Sequence, residues 1–257
     1  MSVPSNSMIA IDVGNSATKC GFFTCQSPPG LPVPSRVLRL PPSLDGFDQL
    51  LDALPREPYD WWISSVQRAV FRDLLEQVSR SRQCDRITLL SHNHFPIRCD
   101  VDHPHEVGTD RLAAACATNH LRDPSGPAIV IDAGSATTVD LIDRDGVYQG
   151  GVILPGAGTM AAALADHADL LPRVDSWAGS AAPPAIGKNT QAAIQSGLFW
   201  GLIGAVKQVV EAVAKDLANR PQLFLSGGQA PHLESELPTA RYVPHLVLSG
   251  IALCRIE

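Results

Sequence analysis

Two stretches of this 257-residue sequence combine residue types that can bind phosphate groups. Each is an apolar run that ends in an aspartate and continues through a glycine into hydroxyl-bearing residues. Glycine lets the backbone approach a ligand closely, backbone N–H groups and hydroxyls donate to phosphate oxygens, and an aspartate can hold a cation or its water. The residues concerned are Asp12, Gly14, Asn15, Ser16, Thr18 and Lys19 in the first stretch, and Asp132, Gly134, Ser135, Ala136, Thr137 and Thr138 in the second.

The two stretches match each other at a spacing of nearly half the chain. Aligning Asp12 with Asp132 also matches Gly14 with Gly134, and Thr18 with Thr138. Either stretch alone is compatible with an ordinary turn, because Asp, Gly, Asn and Ser are common in turns. The matched pair instead predicts a duplicated domain, with one phosphate-binding turn in each lobe and a central cleft between the lobes.

A third group of polar residues, Gly108 to Arg111, directly precedes an alanine-rich run that ends at Leu121. Gly108 or Thr109 is suited to cap a helix there, which places Asp110 and Arg111 in its first turn. Such a carboxylate can orient a hydroxyl, and a guanidinium can bind an anionic group. The two side chains can also be no more than a capping ion pair.

The elements that position these residues alternate between apolar strands and amphipathic helices, which favours an α/β fold with mixed sheets flanked by helices. The segment Arg122–Pro127 is rich in Pro, Gly and Asp and predicts a boundary between an N-terminal lobe, 1–121, and a C-terminal lobe, 122–257. In the second lobe, residues 190–217 predict one long, largely buried helix.

Composition limits the classes of function. The net charge of −6 does not favour wholesale binding of nucleic acid, and no apolar run approaches the ~20 residues of a membrane span. The six cysteines include no Cys-x-x-Cys pair, and the first seven residues lack the features of a signal peptide. We therefore expect reduced cysteines and a cytoplasmic location.

Six short motifs, in order, resemble those of type III pantothenate kinases, which belong to the superfamily of actin-like ATPases, acetate kinase and sugar kinases. The resemblance covers nearly the whole chain and implies two tandem actin-like, or ribonuclease H-like, lobes. The motifs are Asp12-x-Gly14-Asn15-Ser16-x-x-Lys19, Gly108-Thr109-Asp110-Arg111, Asp132-x-Gly134-Ser135-Ala136-Thr137-Thr138, Gly150-Gly151-x-Ile153-x-Pro155-Gly156, Gly187-Lys188-Asn189-Thr190 and Ser226-Gly227-Gly228.

The resemblance implies an enzyme, a phosphotransferase with an alcohol acceptor. The reaction would be the ATP-dependent phosphorylation of pantothenate to 4'-phosphopantothenate, the first step of coenzyme A biosynthesis. Members of this family use Mg²⁺ with ATP and a monovalent cation, K⁺ or NH4⁺. They are typically homodimers, with the substrate site at or near the dimer interface.

The resemblance also implies a role for each matching residue. Asp110 would accept the proton of the attacking hydroxyl, and Arg111 would bind the pantothenate carboxylate. Asp12 would organise the magnesium, mostly through water, and Asp132 would hold the monovalent cation. The remaining substrate residues would be Gly108, Thr109 and Thr190, and the remaining ATP residues would be Gly14, Asn15, Ser16, Lys19, Gly134, Ser135, Ala136, Thr137, Thr138, Gly227 and Gly228, the last two beside the adenine.

The sequence departs from the family pattern in a few places. Ser16 and Ser135 stand where threonine is usual and keep the hydroxyl. Val101 stands where a tyrosine is usual, which removes one expected contact of the substrate pocket. A cluster of histidines, His92, His94, His103 and His105, has no spacing typical of a zinc site.

Two other functions remain open from the sequence. The chain could be another small-molecule kinase of the same superfamily, or a catalytically silent relative that serves as a transcription accessory factor. The presence of Asp12, Asp110 and Asp132 favours an active kinase, and the acidic net charge disfavours direct binding of DNA.

Overall fold

The computed structural model describes residues 7–24, 30–175 and 182–256. Its contacts divide the chain into two compact units. Unit 1 comprises Met1–Leu121 together with His245–Glu257, and unit 2 comprises Arg122–Pro244. The first unit is therefore built from two separate parts of the sequence.

Unit 1 contains a sheet with the strand order β3-β2-β1-β4-β5. Strand β1 pairs antiparallel with β2 and parallel with β4, and β5 continues the parallel side. The elements in the first part of this unit are β1 (Ser7–Val13), β2 (Thr18–Thr24), β3 (Arg36–Leu40), α1 (Phe47–Ala53), β4 (Asp60–Ser65), α2 (Arg68–Ser81), β5 (Arg86–Leu89), β6 (Arg98–Cys99) and α3 (Thr109–Leu121).

Strand β1 is the centre of this sheet, and every residue from Met8 to Val13 is buried. Burial on both faces explains why its sequence is a continuous apolar run rather than an alternating one. On one face, Ile9, Ile11 and Val13 belong to a core cluster that includes Trp61 and Leu74. The end of β1, and with it Asp12, is thereby fixed in a rigid part of the unit.

Unit 2 repeats this strand arrangement in the order β11-β10-β7-β8-β9. Strands β7, β8 and β9 form an antiparallel meander, and β10 pairs parallel with both β7 and β11. The elements are β7 (Ala128–Ala133), β8 (Ala136–Ile142), β9 (Val147–Pro155), α4 (Ala157–His167), α5 (Thr190–Lys215), β10 (Gln222–Ser226), α6 (Ala230–Leu233) and β11 (Ala240–Tyr242). The shared topology supports the predicted duplication.

The last helix, α7 (Leu246–Ile256), packs on α3 and on strands β1, β2 and β4 of unit 1. Gly250 lies against the backbone of Ala113, where a side chain would not fit. Arg255 also forms a 2.7 Å ion pair with the buried carboxylate of Asp60 at the start of β4. The predicted second lobe, 122–257, is therefore corrected at its last residues, because the apolar face of α7 is buried in the first unit.

Helix α5 is continuous, but it is less buried than the sequence predicted. Phe199, Leu202, Ile203 and Val206 are in the core of unit 2, while Gly197, Gly201 and Gly204 have open space where a side chain would stand. By length and composition alone α5 would qualify as a membrane span, a test that core helices also pass. Its buried apolar face identifies it as a core helix with one uncovered side.

Candidate active site

The first glycine turn connects β1 to β2 at the end of the central strand. Asp12 stands opposite Lys19 and Val13 stands opposite Thr18, and the turn closes through a 3.1 Å bond from Gly14 N to Ala17 O. Asn15 and Ser16 lie exposed at its tip. The tip of the turn is therefore accessible to a ligand.

Asp12 is buried, and its carboxylate pairs with Lys19 at 3.5 Å. Burial raises the pKa of Asp12 above its ordinary value, and the nearby charge of Asp110 raises it further, while Lys19 acts in the opposite direction. Burial and the charge of Asp12 together raise the pKa of the Cys20 thiol to about 12. The end of β1 thus concentrates negative charge, which favours the binding of a cation.

Asp110 lies in the first turn of α3, as predicted, with Gly108 at the cap position, where Gly108 O accepts from Leu112 N at 3.1 Å. Asp110 Oδ1 accepts from Arg111 N at 2.9 Å. A side chain at position 108 would meet the Asp110 carboxylate. Glycine at this position therefore lets the carboxylate of Asp110 pack against the backbone at the start of α3.

Sequence reasoning missed Ser64, which connects the first turn to α3. Ser64 is fully buried on β4, opposite Asp12 across the sheet, and its hydroxyl lies 2.8 Å from the hydroxyl of Thr109. The residue before Asp110 is thereby tied to the strand beside Asp12. A polar residue at the end of the apolar run 59–66 was the available signal.

The second glycine turn, between β7 and β8, is one residue shorter than the first. Asp132 stands opposite Thr138 and Ala133 stands opposite Thr137, and Gly134 N donates to Ala136 O at 3.0 Å. The sequence alignment matched Thr18 with Thr138, but strand register makes Thr137 the counterpart of Thr18, because the loops differ in length.

The start of α4 supports this second turn. Ser135 O accepts from Gly156 N at 2.9 Å and from the Thr159 hydroxyl at 2.7 Å. From the sequence, Gly156 was only part of a motif and Thr159 had no assigned role. Both contacts join residues that are more than twenty positions apart, so local sequence patterns could not reveal them.

The turn after β10 lies directly beside Asp132, because Ser226 stands opposite Asp132 in the parallel ladder. Gly227 has φ +99°, and a Cβ there would meet Ala133 O and stand 2.5 Å from Asp132 Oδ1. Gln229 N donates to Ala133 O at 2.9 Å. The absence of a side chain at Gly227 thus lets its backbone pack closely against these two oxygen atoms, while Gly228 is exposed beside it.

The remaining predicted residues lie in exposed or half-buried positions. Thr190 is the exposed first residue of α5, and the Asn189 side chain caps that helix by accepting from Ala192 N at 2.8 Å. Val101 is half-buried in the loop before Pro104.

The rings of His92, His103 and His105 are in contact, with centroid distances of 6.4 Å from His92 to His105 and 6.0 Å from His103 to His105. Within the described ranges, no three His, Cys, Asp or Glu side chains are arranged to hold a metal ion.

Comparison with solved structures finds chains that share this fold. A crystal structure described as a Baf family transcriptional activator from Campylobacter jejuni matches with a TM-score of 0.55 and 21% identity, over 96% of this chain and 95% of that one. A 2-dehydro-3-deoxygalactonokinase structure from Sinorhizobium meliloti matches with a TM-score of 0.52 and 14% identity, over 96% and 97%. At these identities, the likeness concerns the fold alone.

Sequence comparison is more specific. The family model of type III pantothenate kinase matches residues 8–212. A type III pantothenate kinase from Desulfosudis oleivorans is 38% identical over 96% of this chain and 97% of its own length. Another, from Alkalilimnicola ehrlichii, is 34% identical over 95% of this chain and 96% of its own length. With both glycine turns and the Asp110 helix present, the chain belongs to the type III pantothenate kinase family, enzymes of coenzyme A biosynthesis that phosphorylate pantothenate with ATP.

Proposed function

We propose that this chain phosphorylates the primary hydroxyl of pantothenate with Asp110 as the residue that orients the hydroxyl and accepts its proton. The observation that carries this proposal is the contact between the strand beside Asp12 and the start of α3. Ser64, which stands opposite Asp12, has its hydroxyl 2.8 Å from that of Thr109, the residue before Asp110. The charge of Asp110 also raises the pKa of Asp12, behind the larger effect of burial. The proposed base and the proposed magnesium carboxylate therefore lie in neighbouring parts of unit 1. Phosphoryl transfer depends mainly on such positioning and on charge stabilisation.

Both glycine turns offer donors for the phosphates of ATP. In unit 1 these are proposed to come from the turn that begins at Gly14, above all the exposed side chains of Asn15 and Ser16, with the Lys19 ammonium adding a positive charge. In unit 2 they are proposed to come from Gly134, Ser135, Ala136, Thr137 and Thr138. The N–H of each glycine already donates within its own turn, to Ala17 O and to Ala136 O, so each glycine shapes the turn and the proposed phosphate donors are the groups that follow it. Gly227 and Gly228 are proposed to lie beside the adenine.

The residues at the end of β1 fit a magnesium ion held mostly through water. Asp12 is a single carboxylate with the charge of Asp110 nearby, and Mg²⁺ keeps several of its waters when it binds one or two carboxylates. When bound with ATP, the ion neutralises charge on the phosphates. The contribution of the chain is to hold Asp12 rigidly and to balance it with Lys19.

The oxygen atoms beside Gly227 are of the type that binds a monovalent cation, K⁺ or NH4⁺. They are the Oδ1 atom of Asp132 and the carbonyl oxygen of Ala133, and the backbone of Gly227 can approach both because it has no side chain. Oxygen atoms are the ligands that such hard cations prefer. We therefore propose Asp132 as the monovalent cation site, next to the second turn.

Pantothenate is proposed to bind at the start of α3. Arg111 can form a two-pronged contact with the substrate carboxylate, and Gly108 lets the Asp110 carboxylate lie against the backbone beside it. Thr109 is held in place by Ser64. Thr190 is proposed to reach the substrate of a partner subunit, and Val101 offers no hydroxyl where relatives have a tyrosine.

The function is tested by mass detection of 4'-phosphopantothenate after incubation with ATP, magnesium and pantothenate, with and without potassium. We expect product that depends on potassium. Asp110→Asn should lose roughly 10²- to 10⁴-fold in kcat, the usual size of a proton-transfer contribution, while still binding ATP. Near-wild-type activity of Asp110→Asn would refute its role.

A coupled ATPase assay separates the other two functions. ATP hydrolysis that pantothenate does not stimulate would indicate a different activity of the superfamily, and no hydrolysis at all would indicate a silent relative. The likeness to the Campylobacter jejuni protein favours neither, because at 21% identity it concerns the fold.

We also propose that the chain forms a homodimer through the uncovered side of α5, in the cytoplasm. Gly197, Gly201 and Gly204 have open space where a side chain would stand, and unit 2 also exposes the apolar residues Leu164, Leu170 and Ile186. Small residues allow close approach of another helix. Gly201→Arg should shift the mass measured by light scattering from dimer to monomer, whereas Lys207→Arg, on the same helix, should not.

A further inference from the structure

Gln67 connects the first glycine turn to the start of α2, and no role was assigned to it from the sequence. It occupies the cap position of α2 with an extended backbone, but its side chain makes no capping bond. Instead, Gln67 Nε2 donates to the side-chain oxygen of Asn15 at 3.1 Å and lies 3.5 Å from the Asn15 carbonyl. The amide of Gln67 therefore contacts the tip of the turn that carries Asn15.

The backbone of Gln67 is itself firmly held. The hydroxyl of Ser65 accepts from Gln67 N at 3.2 Å and donates to Gln67 O at 3.0 Å. The adjacent residue, Val66, donates its N–H to Val13 O at 3.1 Å, so the segment after β4 is bonded to the end of β1. Gln67 O also begins α2 by accepting from Phe71 N at 3.1 Å. The side chain of Gln67 thus extends from a fixed base.

The direction of the contact determines what Asn15 can offer to a ligand. An asparagine amide has an acceptor oxygen on one side and an NH2 donor on the other. Because Gln67 binds the oxygen, the NH2 group is left for another partner. Phosphate oxygens only accept hydrogen bonds, so they need this donor and are repelled by the amide oxygen.

We propose that Gln67 is a positioning residue that fixes the Asn15 amide with its NH2 group directed to an ATP phosphate. This inference rests on the proposed role of the first turn in ATP binding. Gln67 lies outside the turn and does not contact the nucleotide itself. Its amide orients the Asn15 amide, and the Asn15 amide binds the phosphate.

Gln67→Glu tests the inference with almost no change of shape. A carboxylate accepts hydrogen bonds and cannot donate, so the new side chain would bind the NH2 side of Asn15 and turn its oxygen outward. We expect KM and Kd for ATP to rise about tenfold, since one charge-assisted hydrogen bond is lost. The kcat and the KM for pantothenate should change less than twofold. Gln67→Met, which releases Asn15 without reversing it, should raise the ATP values only about threefold.

Two controls separate orientation from simple charge repulsion. Ala69→Glu places the same charge on the exposed first turn of α2 and should leave Kd for ATP within twofold of wild type. In an Asn15→Ala background, Gln67→Glu should have no further effect, because there is no amide left to turn. Circular dichroism and the melting temperature check that every variant is folded.

The outcomes are distinct. Equal ATP affinity of wild type and Gln67→Glu would overturn the inference and leave the proposed function intact, as would a tenfold loss that persists in the Asn15→Ala background. A wild-type protein that binds no ATP in a direct titration would overturn the proposed function and, with it, this inference.

Discussion

The residue opposite the strand-end aspartate is Lys19 in the first glycine turn and Thr138 in the second. The turns are otherwise alike: each follows the central strand of its sheet, and each closes through a bond from the glycine N–H. The first is one residue longer. The two copies of the hairpin therefore share the same backbone closure, whereas the residue opposite the aspartate is charged in one copy and neutral in the other.

This difference shows how one hairpin can surround its aspartate in two ways. The first aspartate is buried, has its own ammonium partner, and experiences the charge of Asp110. The second lies against the backbone of Gly227 and has a threonine opposite it. If the proposed roles are right, a tethered ammonium serves the first turn and a bound cation serves the second.

The turns also differ in their support. In unit 1 the tip of the turn is held through its side chain, by Gln67 on Asn15. In unit 2 it is held through its backbone, because Ser135 O accepts from Gly156 N and from Thr159. The first turn should therefore respond to mutations at its tip, and the second to mutations at the start of α4.

The largest expected effect comes from neutralising each aspartate in turn. Asp12→Asn should lower kcat/KM about 10³-fold or more, because the magnesium loses its carboxylate. Asp132→Asn should lower it about tenfold and remove the response to potassium. Steady-state kinetics at varied magnesium and potassium measure both. Equal losses with equal potassium dependence would mean that the two aspartates do not have separate roles.

Exchanging the residues opposite the aspartates sharpens the comparison. Thr138→Lys places an ammonium opposite Asp132, the proposed cation ligand, so we expect activity that no longer depends on potassium. Lys19→Thr should lower kcat/KM for ATP about 30-fold, since a charge-assisted contact is lost. Thr138→Val serves as the control, and its potassium response should remain. If Thr138→Lys keeps its full potassium response, the cation site is elsewhere.

The close packing of Gly227 beside Asp132 is tested with Gly227→Ala. The new methyl group would meet Ala133 O at a positive φ, so we expect a loss of at least about 1–2 kcal/mol in the free energy of unfolding. Gly158→Ala, in open space on α4, should be neutral or stabilising by up to ~1 kcal/mol. Urea denaturation measures both. A Gly227→Ala protein as stable as wild type would show that the backbone around this contact can adjust.

The smallest effect is on the pH dependence of stability. The pKa of Asp12 is raised from 3.8, so the folded state favours its protonated form and wild-type stability falls as the pH rises through this range. Asp12→Asn removes that dependence. Its stability relative to wild type should therefore increase from pH 3.8 upward and level off above the folded-state pKa. If the stability of Asp12→Asn relative to wild type became smaller as the pH rises, burial would not be the dominant cause of the raised pKa of Asp12.

The sequence predicted those features that depend on local pattern. The apolar run before Asp12 indicates a buried strand, and Gly108 to Arg111 indicates a helix start, and both are confirmed. Contacts between distant segments were not predictable. Ser64, Gln67 and Thr159 act on residues 20 or more positions away, and a polar side chain in an apolar pattern does not reveal its partner.

Loop length also limited the sequence alignment. Matching the turns residue by residue paired Thr18 with Thr138, because a one-residue difference between loops is invisible without strand register. Likewise, the linker-like segment at 122–127 indicated where unit 2 begins, but nothing in the pattern of α7 indicated which sheet its apolar face would cover.

The packing of α7 on unit 1 means that unit 2 is an insertion within unit 1. A ribosome finishes the contiguous unit 2 before it releases α7, so the later-encoded unit can reach its native state first. Until then the nascent β1 and α3 lack the helix that covers them, and Asp60 lacks Arg255. Strand β1, which ends next to the first glycine turn, therefore acquires the helix that covers it only after the whole of unit 2 has been made.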